Sequence, residues 1–239
     1  MDTALVVIIC ASFAAAFVNA AFATGGVYII LLAATAVLPI SAAIPLQSVL
    51  SAGSLVARIV YFWEHIDWRI VRTFVIGGAI GVYFGTRTFV ALPEAAISVL
   101  LGIILLILIW MPKFNWRNPI KHPFFFVGVL HSYLGAVFGV GGVLQPFILR
   151  TKLLKLQITA TLAICLFTLD VLKVWGYTSY GFNYLDYIPH IIGATVTGVM
   201  GTWAGKRANH LISEQLFRKV FKVMVSLVAL RLIYKGLLG

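Results

Sequence analysis

The stretch Leu134-Gly135-Ala136-Val137-Phe138-Gly139-Val140-Gly141-Gly142-Val143-Leu144-Gln145-Pro146 decides how this chain is read. It lies inside a long apolar run, yet its glycines and proline interrupt any helix that enters it. Backbone freed from a helix at membrane depth survives only where it is buried in protein or lines a cavity. A reduced copy comes earlier: Phe22-Ala23-Thr24-Gly25-Gly26-Val27 matches Phe138–Val143. Other landmarks recur in the same order. Leu46-Gln47 matches Leu156-Gln157, and Gly81-Val82-Tyr83-Phe84-Gly85-Thr86-Arg87 matches Gly201-Thr202-Trp203-Ala204-Gly205-Lys206-Arg207. Glu94 then follows at the same interval as Glu214, and Arg58 has an approximate counterpart in Lys173. Offsets of about 110–120 residues describe a duplicated membrane unit, since solenoid repeats are far shorter.

Composition names the solvent. Of 239 residues, 62% are hydrophobic and 10% charged, and the mean hydropathy is +1.03. Soluble domains carry about 25% charged residues, so an ordinary soluble enzyme and a disordered chain are both excluded. Two cysteines, Cys10 and Cys165, make no disulfide scaffold and no metal site. The net charge of +11 does not mark a nucleic-acid binder, because the basic residues sit in short connectors between apolar runs. Apolar segments fall at about 3–24, 26–38, 44–63, 70–90, 95–111, 123–139, 142–150, 157–175, 187–205 and 214–236. Most approach the roughly 20 residues of a transmembrane helix. The two short ones, 26–38 and 142–150, each begin at a glycine pair. No Lys or Arg precedes the first segment, so it is read as part of the fold rather than as a signal peptide.

Charge sets the expected topology. Lys113, Arg117 and Lys121 in connector 112–122, and Arg150, Lys152 and Lys155 after the glycine stretch, place both connectors in the cytoplasm. The chain between them leaves and returns to one side, as two packed spans or as a re-entrant hairpin. Tracing outward, Lys206 and Arg207 lie inside, as do Arg69 and Arg72, while the N-terminus lies outside. The first glycine tip is therefore approached from outside and the second from inside. The expectation is an all-α polytopic protein of the cell (inner) membrane, built of two inverted repeats, 1–111 and 123–239, joined by a cytoplasmic connector 112–122. Each repeat is a glycine-tipped broken-helix hairpin plus three transmembrane helices, an arrangement recurrent in secondary transporters.

Candidate functional residues follow from that layout. Backbone N–H groups at Gly25, Gly26, Gly139, Gly141 and Gly142 are able to approach an anion, with the amide of Gln145 beside them; the same glycines also suit close helix packing. Gln47 and Gln157 either donate to an anion or satisfy the start of a helix. Arg58 and Lys173 bring positive charge into the spans, unless their long stems carry that charge to the interface. Asp170 and Lys173, three apart on one helix face, either neutralise each other or mark a coupling site. His131, one turn before Gly135, is the second candidate for a coupling proton; Na⁺ is the alternative coupling ion. Asn19 is the polar residue of the first hairpin helix. Glu64, His65 and Asp67 read as a solvated connector, and the Gly81/Gly85 and Gly201/Gly205 spacings as helix-packing surfaces. The chain holds no nucleotide-binding loop, nucleophile elbow, zinc-protease motif or cofactor fingerprint, which points away from an enzyme.

The duplicated Phe-x-x-Gly-Gly elements, Phe22–Val27 and Leu134–Pro146, together with Thr161–Lys173 and Gly198–Arg207, resemble the sulfite exporter TauE/SafE family. The likeness extends over nearly the whole chain; the first copy is degenerate at Ala23-Thr24, and Val143 and Val27 stand where relatives often carry a third glycine. The resemblance implies a transporter of sulfur-containing anions such as sulfite, sulfonates, sulfoacetate or thiosulfate, and it adds Thr161 to the candidate substrate contacts. A passive anion channel and a membrane assembly subunit are the rival classes.

Overall fold

Prolines, glycines and one aspartate divide the apolar chain into helices. The computed structural model describes residues 3–22, 25–110, 122–208 and 214–238. Connector 112–121 and residues 209–213 lie outside the described residues, and with them the basic groups Lys113, Arg117 and Lys121. The first part of the chain holds α1 (Thr3–Phe22), α2 (Gly26–Val37), α3 (Ile40–Leu50), α4 (Ala52–Tyr61), α5 (Trp68–Ala91) and α6 (Glu94–Trp110). The second holds α7 (Pro123–Phe138), α8 (Leu144–Ile148), α9 (Lys155–Ser179), α10 (Ile188–Ala208) and α11 (Glu214–Leu238).

The boundaries have local causes. Leu38 and Leu92 are extended because each precedes a proline. Pro123 sits in the first turn of α7, where a missing N–H costs nothing. Gly139, at φ 74, ends α7 in the left-handed conformation that glycine adopts without strain. Asp67 is not merely solvated, as its connector suggested: its carboxylate accepts from the N–H groups of Arg69 and Ile70 and caps α5.

Among the described residues four spans are long and apolar enough to cross a membrane: Thr3–Ala21, Ile40–Tyr61, Trp68–Ala91 and Leu156–Ser179. The second runs through α3 and α4, with a break at Ser51. The second arms of the two hairpins are shorter. At 12 residues, α2 reaches about 18 Å, and at five residues, α8 reaches about 8 Å, against a hydrocarbon core of about 30 Å. Neither is long enough by itself for a full crossing. Large apolar side chains such as Ile76, Trp175 and Leu227 face outward, as lipid-facing surfaces do.

The most extensive helix pairings are α5 with α7, α1 with α10, and α6 with α11. Their registers are set where glycine lets two backbones approach. Gly81 abuts the carbonyl of Val129 and Gly85 that of Tyr133. Gly201 abuts the carbonyl of Phe13 and Gly205 that of Phe17. The Gly81/Gly85 and Gly201/Gly205 spacings are therefore packing surfaces. Both pairings run parallel, because contacts advance together along the two helices; Thr197, whose hydroxyl donates to the Ile9 carbonyl, keeps the same register. Phe13 and Val129 are 116 positions apart, as are Phe17 and Tyr133, while the paired glycines are 120 apart. By contrast α6 and α11 run antiparallel, with Gly102 against the Ala229 carbonyl and Gly236 against that of Ala95.

Two apolar clusters bracket the interior. One gathers Leu31, Ile44, Phe89, Phe138 and Tyr177; the other gathers Leu55, Phe74, Leu144, Ile148 and Leu169. Lys206 lies over the ring of Tyr61, so the ends of α4 and α10 share one end of the molecule, amid the exposed aromatic residues Tyr61, Trp63 and Trp68.

Candidate functional site

A cavity of about 130 Å³ lies where the two glycine tips meet. Its size suits a small ion, since pockets for drug-sized ligands begin at about 300 Å³. Gly25 from the first tip and Gly139, Gly141 and Gly142 from the second line it, together with Gln47, Arg58, His131, Gln145, Asp170 and Lys173. Ten of the thirteen residues singled out from sequence thus surround one space. Gly26 lies beside it, at the start of α2.

The remaining two lie elsewhere. The Gln157 side chain accepts from the N–H of Leu154 and closes the first turn of α9. The Thr161 hydroxyl accepts from the N–H of Asp67 and anchors the start of α5. Both are structural hydrogen bonds on the side of α9 away from the cavity. The reason is register. Gln47, Ser51, Leu55 and Arg58 line the cavity from α3 and α4, while Leu162, Leu166, Asp170 and Lys173 line it from α9. Each pair is 115 positions apart. The Leu46-Gln47/Leu156-Gln157 likeness has an offset of 110 and leaves Gln157 outside the site that Gln47 lines; the Arg58/Lys173 correspondence has the offset that brings both members in.

The hairpin tips are held by polar side chains. The Asn19 amide oxygen accepts from the N–H of Gly26 at 2.9 Å. His131 Nδ1 accepts from the N–H groups of Leu144 at 3.1 Å and Val143 at 3.3 Å. A ring nitrogen that accepts carries no proton, so His131 is neutral here with its hydrogen on Nε2. Gly141 packs so closely on this imidazole that a side chain there would collide with the ring. Donors remain at the tip: the N–H groups of Val140, Gly141 and Gly142 have no hydrogen-bond partner among the described residues.

Charge is distributed unevenly around the cavity. Asp170 and Lys173, each less than one-tenth exposed, form an ion pair at 2.6 Å, and the Ser51 hydroxyl donates to the second carboxylate oxygen at 3.2 Å. Arg58 Nε donates to the Ser54 carbonyl, and no carboxylate pairs with this guanidinium among the described residues. Its remaining N–H donors are available in a space with one net positive charge. Gln47 buries its amide oxygen, and Ser132 its hydroxyl, without hydrogen-bond partners. Ser132 and Ser51 are site residues that the sequence reading passed over. The signal for Ser51 was present, since Gln47, Ser51, Leu55 and Arg58 follow helical spacing. Nothing in the sequence separated Ser132 from other small residues of α7. Among the described residues no three His, Cys, Asp or Glu side chains gather as a metal site.

The family model of the sulfite exporter TauE/SafE matches residues 8–232. The chain belongs to that family. As a TauE/SafE member it is a multi-pass membrane protein of a family that transports sulfur-containing anions. No curated protein and no solved structure matches the chain.

Proposed function

We propose that this TauE/SafE member moves a small sulfur-containing anion, of the sulfite, thiosulfate, sulfonate or sulfoacetate kind, across the cell membrane by alternating access. The observation that carries the reading is Arg58, a cation without a carboxylate partner among the described residues, lining a small cavity where both glycine tips meet. An unbalanced charge inside a membrane protein is costly and marks a place where an opposite charge binds. The anion would sit against Arg58 and the free N–H groups of residues 140–142, with Gln47, Gln145, Ser132 and Lys173 within its shell.

Two repeats, 1–111 and 123–239, related by inversion in the membrane, account for the helix pairings. Exchanging the repeats turns α1 with α10 into α7 with α5, and the glycine contacts keep their partners under that exchange. The antiparallel run of α6 and α11 supports inversion, since parallel copies would set these two helices running the same way. Rocking of one repeat against the other would expose the central cavity to each side in turn. A proton or Na⁺ couples the step, with Asp170 and His131 as the candidate groups.

The test is counterflow in proteoliposomes with labelled sulfite and thiosulfate. Saturable flux that accelerates when unlabelled anion is present on the far side supports the reading, and Arg58→Ala should abolish it while the protein remains monodisperse. Flux without saturation or counterflow would identify a passive channel. Intact protein that neither binds nor moves any sulfur anion would favour a membrane assembly role.

A further inference from the structure

The cavity holds two cations and one carboxylate, and this imbalance carries an inference that rests on the anion-transport reading. We infer that Asp170 sets the valence of the transported anion: a singly charged anion is loaded alone, and a doubly charged one together with a proton on Asp170.

Charges withdrawn from water must nearly balance, because each uncompensated one is strongly disfavoured. With Asp170 ionised, Arg58 is the surplus, and one negative charge neutralises the site. A second negative charge has no cation to meet, since Lys173 is held by Asp170 at 2.6 Å. Asp170 and Lys173 line the same cavity from one helix face, so an entering dianion competes with the carboxylate for the same ammonium. When the dianion wins, a proton from water on the loading side binds an Asp170 carboxylate oxygen, forming one O–H bond. Lys173 stays an ammonium and turns to the anion. On unloading, the proton leaves to water on the opposite side and the Asp170–Lys173 pair reforms.

Other groups do not offer this exchange. The charged and titratable groups that line the cavity with Asp170 or lie beside it are Lys173 and Tyr177 on its own helix, Tyr28 from α2, Arg58 from α4, His131 from α7 and Tyr184 from the 3-10 turn Tyr184–Tyr187. Helices α3 and α8 contain no titratable residue, and Arg69, Arg72, Tyr83 and Arg87 of α5 are exposed away from the cavity. Burial, then the charge on Asp170, raises the Tyr184 phenol, which stays neutral through the physiological range. Protonating His131 at Nδ1 would break its bonds to Val143 and Leu144 and add a third positive charge. Among the described residues Asp170 alone joins a carboxylate, a cationic partner and access to the cavity.

The experiment is calorimetric titration of the purified full chain in two buffers of different ionisation enthalpy, which counts protons taken up per anion bound. The probes are thiosulfate, doubly charged throughout the neutral range, and methanesulfonate, singly charged. Thiosulfate should bind with uptake of one proton and weaken about tenfold per unit as pH rises; methanesulfonate should take up none and bind independently of pH. Asp170→Asn should remove both proton uptake and pH dependence for thiosulfate, and Asp170→Glu should restore them. Equal proton uptake for the two anions overturns the inference, as does Na⁺-dependent thiosulfate binding without a proton. So does an Asp170→Asn protein that keeps the pH dependence. The comparison of two anions on the unaltered protein decides the matter even if a variant fails to fold. Failure of both anions to bind the unaltered protein would overturn the anion-transport reading itself.

Discussion

The two glycine hairpins share a construction and differ in chemistry. In the first, Asn19 holds the start of α2 through one N–H; in the second, His131 holds α8 through two. By the 116-residue register of the packing contacts, His131 corresponds to Ala15, one helical turn before Asn19. The tips are thus fixed by side chains from different positions. Across the cavity the same contrast recurs, where Arg58 stands without a carboxylate and its counterpart Lys173 is paired with Asp170. The comparison teaches that backbone approach between helices has the same spacing in the α5–α7 and α1–α10 pairings, whereas the polar groups around the two tips differ. Glycine against a carbonyl allows little choice, while a hydrogen bond to a helix start is available from several neighbouring positions.

That contrast is open to direct attack. Lys173→Ala leaves Asp170 buried without its cation and should destabilise the protein by about 3–5 kcal/mol, measured as the loss of unfolding midpoint in detergent. Arg58→Ala removes no ion pair and should leave that midpoint nearly unchanged. Equal stability losses would erase the distinction between the halves. For anion affinity the order reverses in sharpness: Arg58→Ala removes a charge-assisted donor worth about 1.5–3 kcal/mol, read as a loss of roughly one to two decades in the dissociation constant.

The shared part of the architecture is tested by Gly81→Ala and Gly201→Ala. Each new methyl meets a carbonyl on the partner helix, and each should cost about 1–3 kcal/mol. Similar losses of thermal midpoint support equivalent registers; a large loss at one position and none at the other would break the equivalence. The smallest expected effects are at the tips. Asn19→Ala should cost about 1 kcal/mol. His131→Ala should cost more, because two N–H groups lose their acceptor, and His131→Asn should recover part of the difference. Hydrogen exchange at residues 143–144 against residue 26 would read the two tips separately.

Much of the site was legible in the chain because glycine pairs and charges inside apolar runs are conspicuous. The tips, Arg58 and the Asp170–Lys173 pair stand out in the sequence itself. Gln157 came from a dipeptide likeness at an offset of 110 and Thr161 from the family resemblance; neither reveals which face of α9 turns inward, and a five-residue slip rotates a helix by well over a turn. Ser132 was missed because its distinction is a hydroxyl left without a partner, a property of its surroundings. Asp67 looked solvated because a capping carboxylate and a loop carboxylate read alike until the helix start is known.

The sequence by itself determined the solvent, the helical class, the family and the places where helices break. Those follow from hydropathy, from the conformations that proline and glycine impose, and from motifs that are local in the chain. Only the tertiary structure decided that the two tips share one cavity, that His131 and Asn19 hold those tips, and that Arg58 lacks the partner that Lys173 has. Charge pairing and hydrogen-bond satisfaction are sums over neighbours distant in the chain, and the relative rotation of packed helices chooses those neighbours.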